Sequence, residues 1–166
     1  MDILLTLLLM IALLILKGFF SGSEIAMVNA DKVKLNALAG KGHKGSRMVL
    51  EEFRSPEMLL GTTLVGTNIA TIVLTTVGTL LAIRLVGDSG EWVAFLVFTP
   101  LFLVLGEIVP KSVYQHRSTE IAPKAIYLLR GFRLIFFPLV AVFSRLSRLA
   151  ARIFGGGVLE QNVYMT

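Results

Sequence analysis

Three long apolar runs constrain the fold of this chain more than any other feature. They cover about residues 3–28, 58–83 and 92–114, and each can form a helix of about 20 residues, the length that crosses a bilayer. Hydrophobic residues make up 55% of the sequence and charged residues only 16%, a composition far more apolar than that of a soluble domain. The sequence therefore predicts an all-α membrane protein with three transmembrane helices.

The distribution of basic residues predicts the orientation of these helices. Lys and Arg number six in residues 29–56, one in residues 84–91 and eight from Lys111 onward. Because basic residues accumulate on the cytoplasmic side, we expect a multi-pass protein of the cell (inner) membrane with its N-terminus outside and its C-terminus in the cytoplasm. The net charge of +5 does not indicate nucleic-acid binding, since the basic residues flank apolar runs and are not interleaved with aromatic residues.

The segment between the first two runs, residues 29–56, is predicted to form a cytoplasmic helical hairpin. Asp31 can cap its first helix, and the glycine-rich residues 40–45 supply the turn. An apolar side on the second helix, formed by Met48, Leu50 and Phe53, gives the hairpin a surface that can pack on the rest of the protein.

The segment after the third run, residues 117–154, is predicted to form a belt of juxtamembrane amphipathic helices. Its apolar stretch, residues 134–143, has only ten residues and is broken by Pro138, so we expect it to lie in the membrane interface and not to form a fourth span. Three arginines that follow share one helical face, as expected for a helix on an anionic inner leaflet: Arg145, Arg148 and Arg152.

A carboxylate near the end of the third run is the first candidate functional group. Glu107 is expected at or near membrane depth, where an ionisable residue indicates a functional site. Pro110 has no N–H to donate to the Gly106 carbonyl, and Pro100 likewise leaves the carbonyl of Leu96 free. A free carbonyl beside a carboxylate suits Mg2+, Ca2+ or Na+. Alternatively, Glu107 only pairs with Lys111 at i, i+4 and the prolines only bend the helix.

The first run contributes further polar candidates. Lys17, Ser21 and Glu24 are spaced to lie on one helical face, whereas Ser23 points elsewhere in an ideal helix. For both serines to reach one ion, the helix must loosen near Gly22 or one serine must act through its backbone. Each serine hydroxyl could instead bond to its own i−4 carbonyl.

A stripe of small residues on the same helix permits close approach of another helix: Gly18, Gly22, Ala26 and Ala30.

The second run is rich in threonine, and Asn68 is its most polar member. The side-chain oxygen of Asn68 can bind a cation while its amide group bonds to a neighbouring helix. The alternative is that Asn68 only joins two helices by hydrogen bonding.

Together, three motifs resemble the transmembrane domain of the CorC/CNNM (cyclin M) family of magnesium transporters. The motifs are Phe19-Phe20-Ser21-Gly22-Ser23-Glu24, Leu64-Val65-Gly66-Thr67-Asn68 and Gly106-Glu107-Ile108-Val109-Pro110-Lys111. The resemblance covers nearly the whole chain, with residues 1–154 as the membrane domain. It also implies that residues 155–166 lead towards cytosolic CBS and C-terminal regulatory domains, which this chain does not contain.

The resemblance implies a homodimer, formed through the transmembrane helices, that exports Mg2+ from the cytoplasm with Na+ as the driving ion. The Mg2+ ligands it implies are Ser21, Ser23, the Gly66 carbonyl, Asn68, the Gly106 carbonyl and Glu107. Glu24, Lys17, Thr67, Pro110 and Lys111 would support the site or take part in ion coupling. Two positions depart from the family: Thr67 stands where asparagine is usual, and Lys17 stands where a small or polar residue is commoner. Lys17 would place a positive charge on the face that should bind a cation, unless Glu24 neutralises it.

Two other classes of function could account for a chain that holds polar residues in its membrane spans: a membrane anchor and an intramembrane enzyme. A membrane anchor and dimerisation module for cytosolic regulatory domains would use the same polar residues only to join helices. An intramembrane enzyme is not expected, because the chain has no cysteine and its apolar runs hold no His-x-x-x-His pair, paired aspartates or Ser–His couple.

Overall fold

The structure, a computed structural model, describes residues 2–54 and 56–153, and all regular structure in these residues is helical. The predicted all-α fold is therefore confirmed. We number six helices in this part of the chain: α1 (Ile3–Asn29), α2 (Lys32–Gly40), α3 (Lys44–Glu52), α4 (Pro56–Val86), α5 (residues 90–116) and α6 (Ser118–Ile153). The predicted tail, residues 155–166, lies outside the described residues.

Three helical stretches of the described chain are long and apolar enough to cross a membrane. They are Ile3–Asn29, Pro56–His116 and Ser118–Val142. The second stretch has 61 residues and folds back on itself at the 3-10 turn Gly87–Ser89, so it comprises both α4 and α5. The chain can reverse there because Gly87 adopts φ +68°, a conformation that glycine reaches without strain.

The helices α1, α4 and α5 pack as an up-down-up bundle. Antiparallel packing of α1 and α4 places the Phe20 ring against Gly66 near one end and Met10 beside Leu74 near the other. Phe102 of α5 completes the second of these contacts. The bundle therefore has an apolar core at one end, and its other end continues into the packing of α1 on α6.

The parallel packing of α1 on α5 depends on glycines in the stripe of small residues. A methyl group at Gly18 would lie 3.0 Å from Cγ of Pro110, and one at Gly22 would lie 2.7 Å from Cγ of the Tyr114 ring. Side chains at these positions would push the helices apart, so the predicted close approach of another helix is confirmed.

The hairpin of α2 and α3 forms as predicted. The Asp31 carboxylate accepts hydrogen bonds from the backbone N–H groups of Val33 and Lys34, at 2.9 and 3.1 Å, and Gly42 in the turn has φ +88°. His43 caps α3 by accepting a hydrogen bond from the Ser46 N–H at 3.2 Å. The cytoplasmic placement of the hairpin stays a prediction.

Ion pairs attach the hairpin to α6. The buried carboxylate of Glu52 accepts hydrogen bonds from Arg130 Nε at 3.0 Å and from Arg133 at 2.8 Å. Arg130 also donates to Glu51 at 2.7 Å, and this hydrogen bond lowers the pKa of the Glu51 carboxyl group. Because one carboxylate serves two guanidinium groups, the position of α6 against α3 is well defined.

The expectation that Pro138 breaks the chain's last apolar stretch is wrong. Helix α6 runs through both Pro123 and Pro138 for 36 residues. The lost hydrogen bonds are offset by packing of its apolar face, where Phe132 packs edge-to-face on Phe20 with ring centroids 4.8 Å apart and Val140 packs on Gly61. Its interfacial placement stays a prediction, as does the role of Arg145, Arg148 and Arg152, whose side chains lie outside the described residues.

We predict that Gly22→Ala lowers the stability of the bundle. The new methyl group would meet the Tyr114 ring at Cγ, close to the backbone, where the ring cannot easily move aside. Such overpacking costs about 1–3 kcal/mol, and thermal melting in detergent would measure the loss.

The matched control for this substitution is Gly131→Ala. Gly131 lies in the interior of α6, where an added methyl group meets nothing within 4 Å. Replacing a glycine in the interior of a helix by alanine stabilises the folded protein by up to about 1 kcal/mol when the added methyl group meets no other atom. Equal melting shifts for the two variants would contradict the packing argument.

Candidate cation-binding site

Helix α5 carries two π-helical turns, each directly before a proline. In the first, the N–H of Thr99 donates to the Ala94 carbonyl, and in the second the N–H of Val109 donates to the Val104 carbonyl, five residues back in both cases. The predicted irregularity of the backbone before Pro100 and Pro110 is thus confirmed. Turns of this kind occur often at functional sites because they shift backbone groups out of the α-helical register.

The second π turn presents Glu107. Its side chain is 33% exposed and lies between two lysines, with Oε1 3.2 Å from Nζ of Lys111 and Oε2 3.9 Å from Nζ of Lys17. The pair with Lys111 at i, i+4 is the one that the sequence offered as an alternative to ion binding. The pair with Lys17 joins α1 to α5.

Lys17 is almost completely buried, with 3% of its surface exposed. Its Nζ donates a hydrogen bond to the backbone carbonyl of Phe102 at 3.4 Å. Sequence reasoning treated Lys17 as a departure from the family and left open whether Glu24 neutralises it. In the structure, Glu107 lies within ion-pair distance of Lys17, so the positive charge on this face of α1 already has a carboxylate.

Three buried hydroxyl groups near this part of the bundle make no hydrogen bond within the described part of the chain: Ser21 Oγ, Ser23 Oγ and Thr67 Oγ1. The predicted alternative, in which each serine hydroxyl bonds to its own i−4 carbonyl, is therefore not observed. A buried polar atom without a partner is unfavourable by about 1–3 kcal/mol. These oxygen atoms are suited to bind a cation or to form a hydrogen bond with a water molecule.

The two serines do not converge on one point. Helix α1 is a regular α-helix from Ile3 to Asn29, so residues two apart lie about 200° apart around its axis. Ser21 lies one turn after Lys17, on the face that Lys17 turns towards α5, and Ser23 lies on the other side of α1. No loosening of the helix at Gly22 brings both hydroxyls to one ion in this conformation.

The predicted backbone ligands are close to α1, but Asn68 is not. Gly106 lies against the Lys17 side chain, and Gly66 lies against the Phe20 ring. Asn68 follows Gly66 by two positions, so it points away from α1 on the far side of α4, and its side chain is exposed. The structure therefore brings together Lys17, Gly106 and Glu107, and leaves the participation of Asn68 and Ser23 as predictions.

Only hard oxygen donors are available at this site. Within the described residues, no three His, Cys, Asp or Glu side chains come together in a cluster that could hold a metal ion. One carboxylate, buried hydroxyls and backbone carbonyls suit a weakly held hard cation and not a tightly bound transition metal.

Lys17 is named among the supporting residues from the sequence, but sequence reasoning missed its ion pair with Glu107. The available signal was its position: it is the single charged residue between Ile3 and Ser23 of an apolar run. A charge inside such a run requires a partner. Glu107 was a candidate partner for Lys17, because it carries the opposite charge and lies in another apolar run.

Comparison with known proteins gave consistent matches. The family model for the cyclin M transmembrane N-terminal domain matches residues 8–166. The UPF0053 inner membrane protein YfjD of Escherichia coli (strain K12) is 29% identical over 140 residues, which cover 84% of this chain and 33% of that protein. A UPF0053 protein of Haemophilus influenzae is 30% identical over 146 residues, which cover 88% of this chain and 35% of that protein.

A more distant relative carries a functional name. The polyamine export protein of Haemophilus influenzae is 23% identical over 167 residues, covering 93% of this chain and 39% of that protein. The chain thus spans about a third of the length of the curated relatives it matches.

Proposed function

This chain belongs to the cyclin M transmembrane N-terminal domain family, and from that premise we propose that it is the membrane domain of a transporter that exports Mg2+ from the cytoplasm. Na+ entering the cell is the proposed driving ion. The observation that carries the proposal is the half-buried carboxylate of Glu107, which lies in a π turn and faces the buried Lys17 of α1.

The chemistry of these groups supports a hard cation as cargo. Mg2+ prefers oxygen ligands in octahedral geometry and gives up its water reluctantly. Glu107 would supply the negative charge, with Ser21 Oγ and the Gly106 carbonyl as neutral oxygen donors. A transported ion must also leave, so a single carboxylate suits transport better than a dense acidic cluster would.

The remaining proposed ligands require a second arrangement of the helices. Ser23 and Asn68 face away from Glu107 in the present conformation, and Gly66 lies against the Phe20 ring. In alternating access, one group of helices moves against another around the site. We propose that such a movement, or a partner subunit, completes the ligand set.

A homodimer formed through the transmembrane helices would also shield Asn68. An amide group that faces lipid has no hydrogen-bond partner there, which is unfavourable. Asn68 is exposed on α4 between the apolar residues Leu64 and Ile72, which are exposed as well. A second copy of the chain packed on this face would remove both the amide and the apolar surface from lipid.

A second candidate cargo is an organic polycation. The name of the polyamine export relative favours it, and so does the contact of the Lys17 ammonium with a carboxylate and a backbone carbonyl. A polyamine would present the same ammonium group to the same oxygens. A membrane anchor that transports nothing remains the alternative from a different class of function.

We predict that the purified chain binds Mg2+ and that both Glu107→Ala and Asn68→Ala weaken binding. Loss of the carboxylate removes the charge that attracts the ion, so Glu107→Ala should lower affinity at least about tenfold. Isothermal titration with Mg2+, Ca2+ and spermidine would rank the cargo classes, and thermal melting would verify folding.

Matched controls for this titration are Glu57→Ala and Asn36→Ala. Both residues are exposed and lie away from the site, Glu57 in the first turn of α4 and Asn36 on α2. They should bind like the wild type. Undiminished Mg2+ affinity in folded Glu107→Ala and Asn68→Ala proteins would favour the anchor function.

We also predict that the N-terminus lies outside and the hairpin lies in the cytoplasm. The sequence has no cysteine, so single cysteines can be introduced by Asp2→Cys, Lys41→Cys and Asp88→Cys, all at exposed positions. In spheroplasts, a membrane-impermeant maleimide should label positions 2 and 88, and should label position 41 only after permeabilisation. The reverse pattern would invert the proposed direction of transport.

A further inference from the structure

Lys17 is an unusual lysine for a membrane-spanning helix. Such side chains normally extend to the membrane interface, yet Lys17 is only 3% exposed. Its Nζ instead contacts two oxygens of α5, the Phe102 carbonyl at 3.4 Å and Glu107 Oε2 at 3.9 Å. The ammonium group therefore lies inside the bundle, beside the carboxylate that the proposed cargo would use.

Packing fixes the stem of this side chain. A methyl group at Gly106 would lie 2.9 Å from Cδ of Lys17 and 3.1 Å from Leu14. Gly106 thus leaves the space that the lysine stem occupies, directly beside Glu107. Lys111, the other lysine at the site, is 34% exposed at its side chain and can turn towards water without repacking the bundle.

We propose that the Lys17 ammonium is a tethered cation, which takes the cation position beside Glu107 when no transported cation is bound and must be displaced when one binds. This inference rests on the proposed function, because it assigns Glu107 to the cargo. It adds a specificity-determining residue that sets how tightly the cargo is held.

The donor set supports this role. Carboxylate and backbone carbonyl oxygens are the ligands that a hard cation requires, and Lys17 engages one of each. An unpaired carboxylate within a membrane is strongly unfavourable, so Lys17, together with Lys111, stabilises Glu107 between release of one ion and arrival of the next.

Electrostatics then make the two cations mutually exclusive. Repulsion between an ammonium and a divalent cation a few ångströms apart in a protein interior is large compared with thermal energy. Mg2+ at Glu107 therefore requires Lys17 to leave both the carboxylate and the Phe102 carbonyl. The return of Lys17 would in turn promote release of the ion.

The test compares Mg2+ binding to the full chain and to Lys17→Met by isothermal titration. Methionine retains most of the stem that packs on Gly106 and removes the charge. Lys17→Gln serves as a second variant if Lys17→Met does not fold. The control for net charge is Lys44→Met, because Lys44 is exposed at the start of α3 and should leave affinity unchanged.

We expect Lys17→Met to bind Mg2+ at least about tenfold more tightly than the wild type, and Lys111→Met to show a smaller gain. Binding by Lys17→Met alone, with none detected in the wild type, would also support the inference. If the wild type binds and Lys17→Met binds equally or more weakly, the inference is wrong while the proposed function stands. If neither folded protein binds Mg2+, the proposed function is wrong too.

Discussion

The close approach of α1 and α5 is the contact on which the rest of the structure depends. Gly18 and Gly22 allow Pro110 and Tyr114 to lie directly on α1, and Gly106 allows the Lys17 stem to lie directly on α5. This packing brings the ammonium of one helix within 3.9 Å of the carboxylate of the other. Without it, the ammonium group of Lys17 would be buried without a carboxylate partner, at a large energetic cost.

The two π turns make this contact chemically useful. A regular helix pairs every interior carbonyl with an N–H of its own, and offers a ligand only its side chains. In α5, each hydrogen bond between residues five apart is followed by a proline, which has no N–H to donate. The backbone near Glu107 therefore departs from the regular α-helical pattern. The Glu107 carboxylate and the Gly106 backbone then lie together beside the Lys17 side chain.

Much of this arrangement could be predicted from local patterns. The apolar runs gave the helices, Asp31 and Gly42 gave the hairpin, and the small residues of α1 gave the close helix packing, because each depends on residues near in sequence. The continuity of α6 through Pro138 could not be predicted, since packing on Phe20 and Gly61 offsets the lost hydrogen bonds.

The residues of the candidate site could be predicted better than their positions relative to one another. Glu107 and the irregular backbone before Pro110 follow from the sequence alone. The contact of Lys17 with Glu107 depends on the rotation of α1 against α5, which no local pattern specifies. The family resemblance groups Asn68 and Ser23 with Glu107, whereas the present conformation directs them to other sides of their helices.

We propose that cations cross the membrane at Glu107. The most direct test of this proposal is Mg2+ uptake by liposomes that contain the chain, are loaded with Na+ and report Mg2+ through an enclosed fluorescent indicator. We expect uptake faster than in protein-free liposomes, and a return to that background for a folded Glu107→Gln variant. Equal uptake by the wild type and Glu107→Gln would contradict the claim.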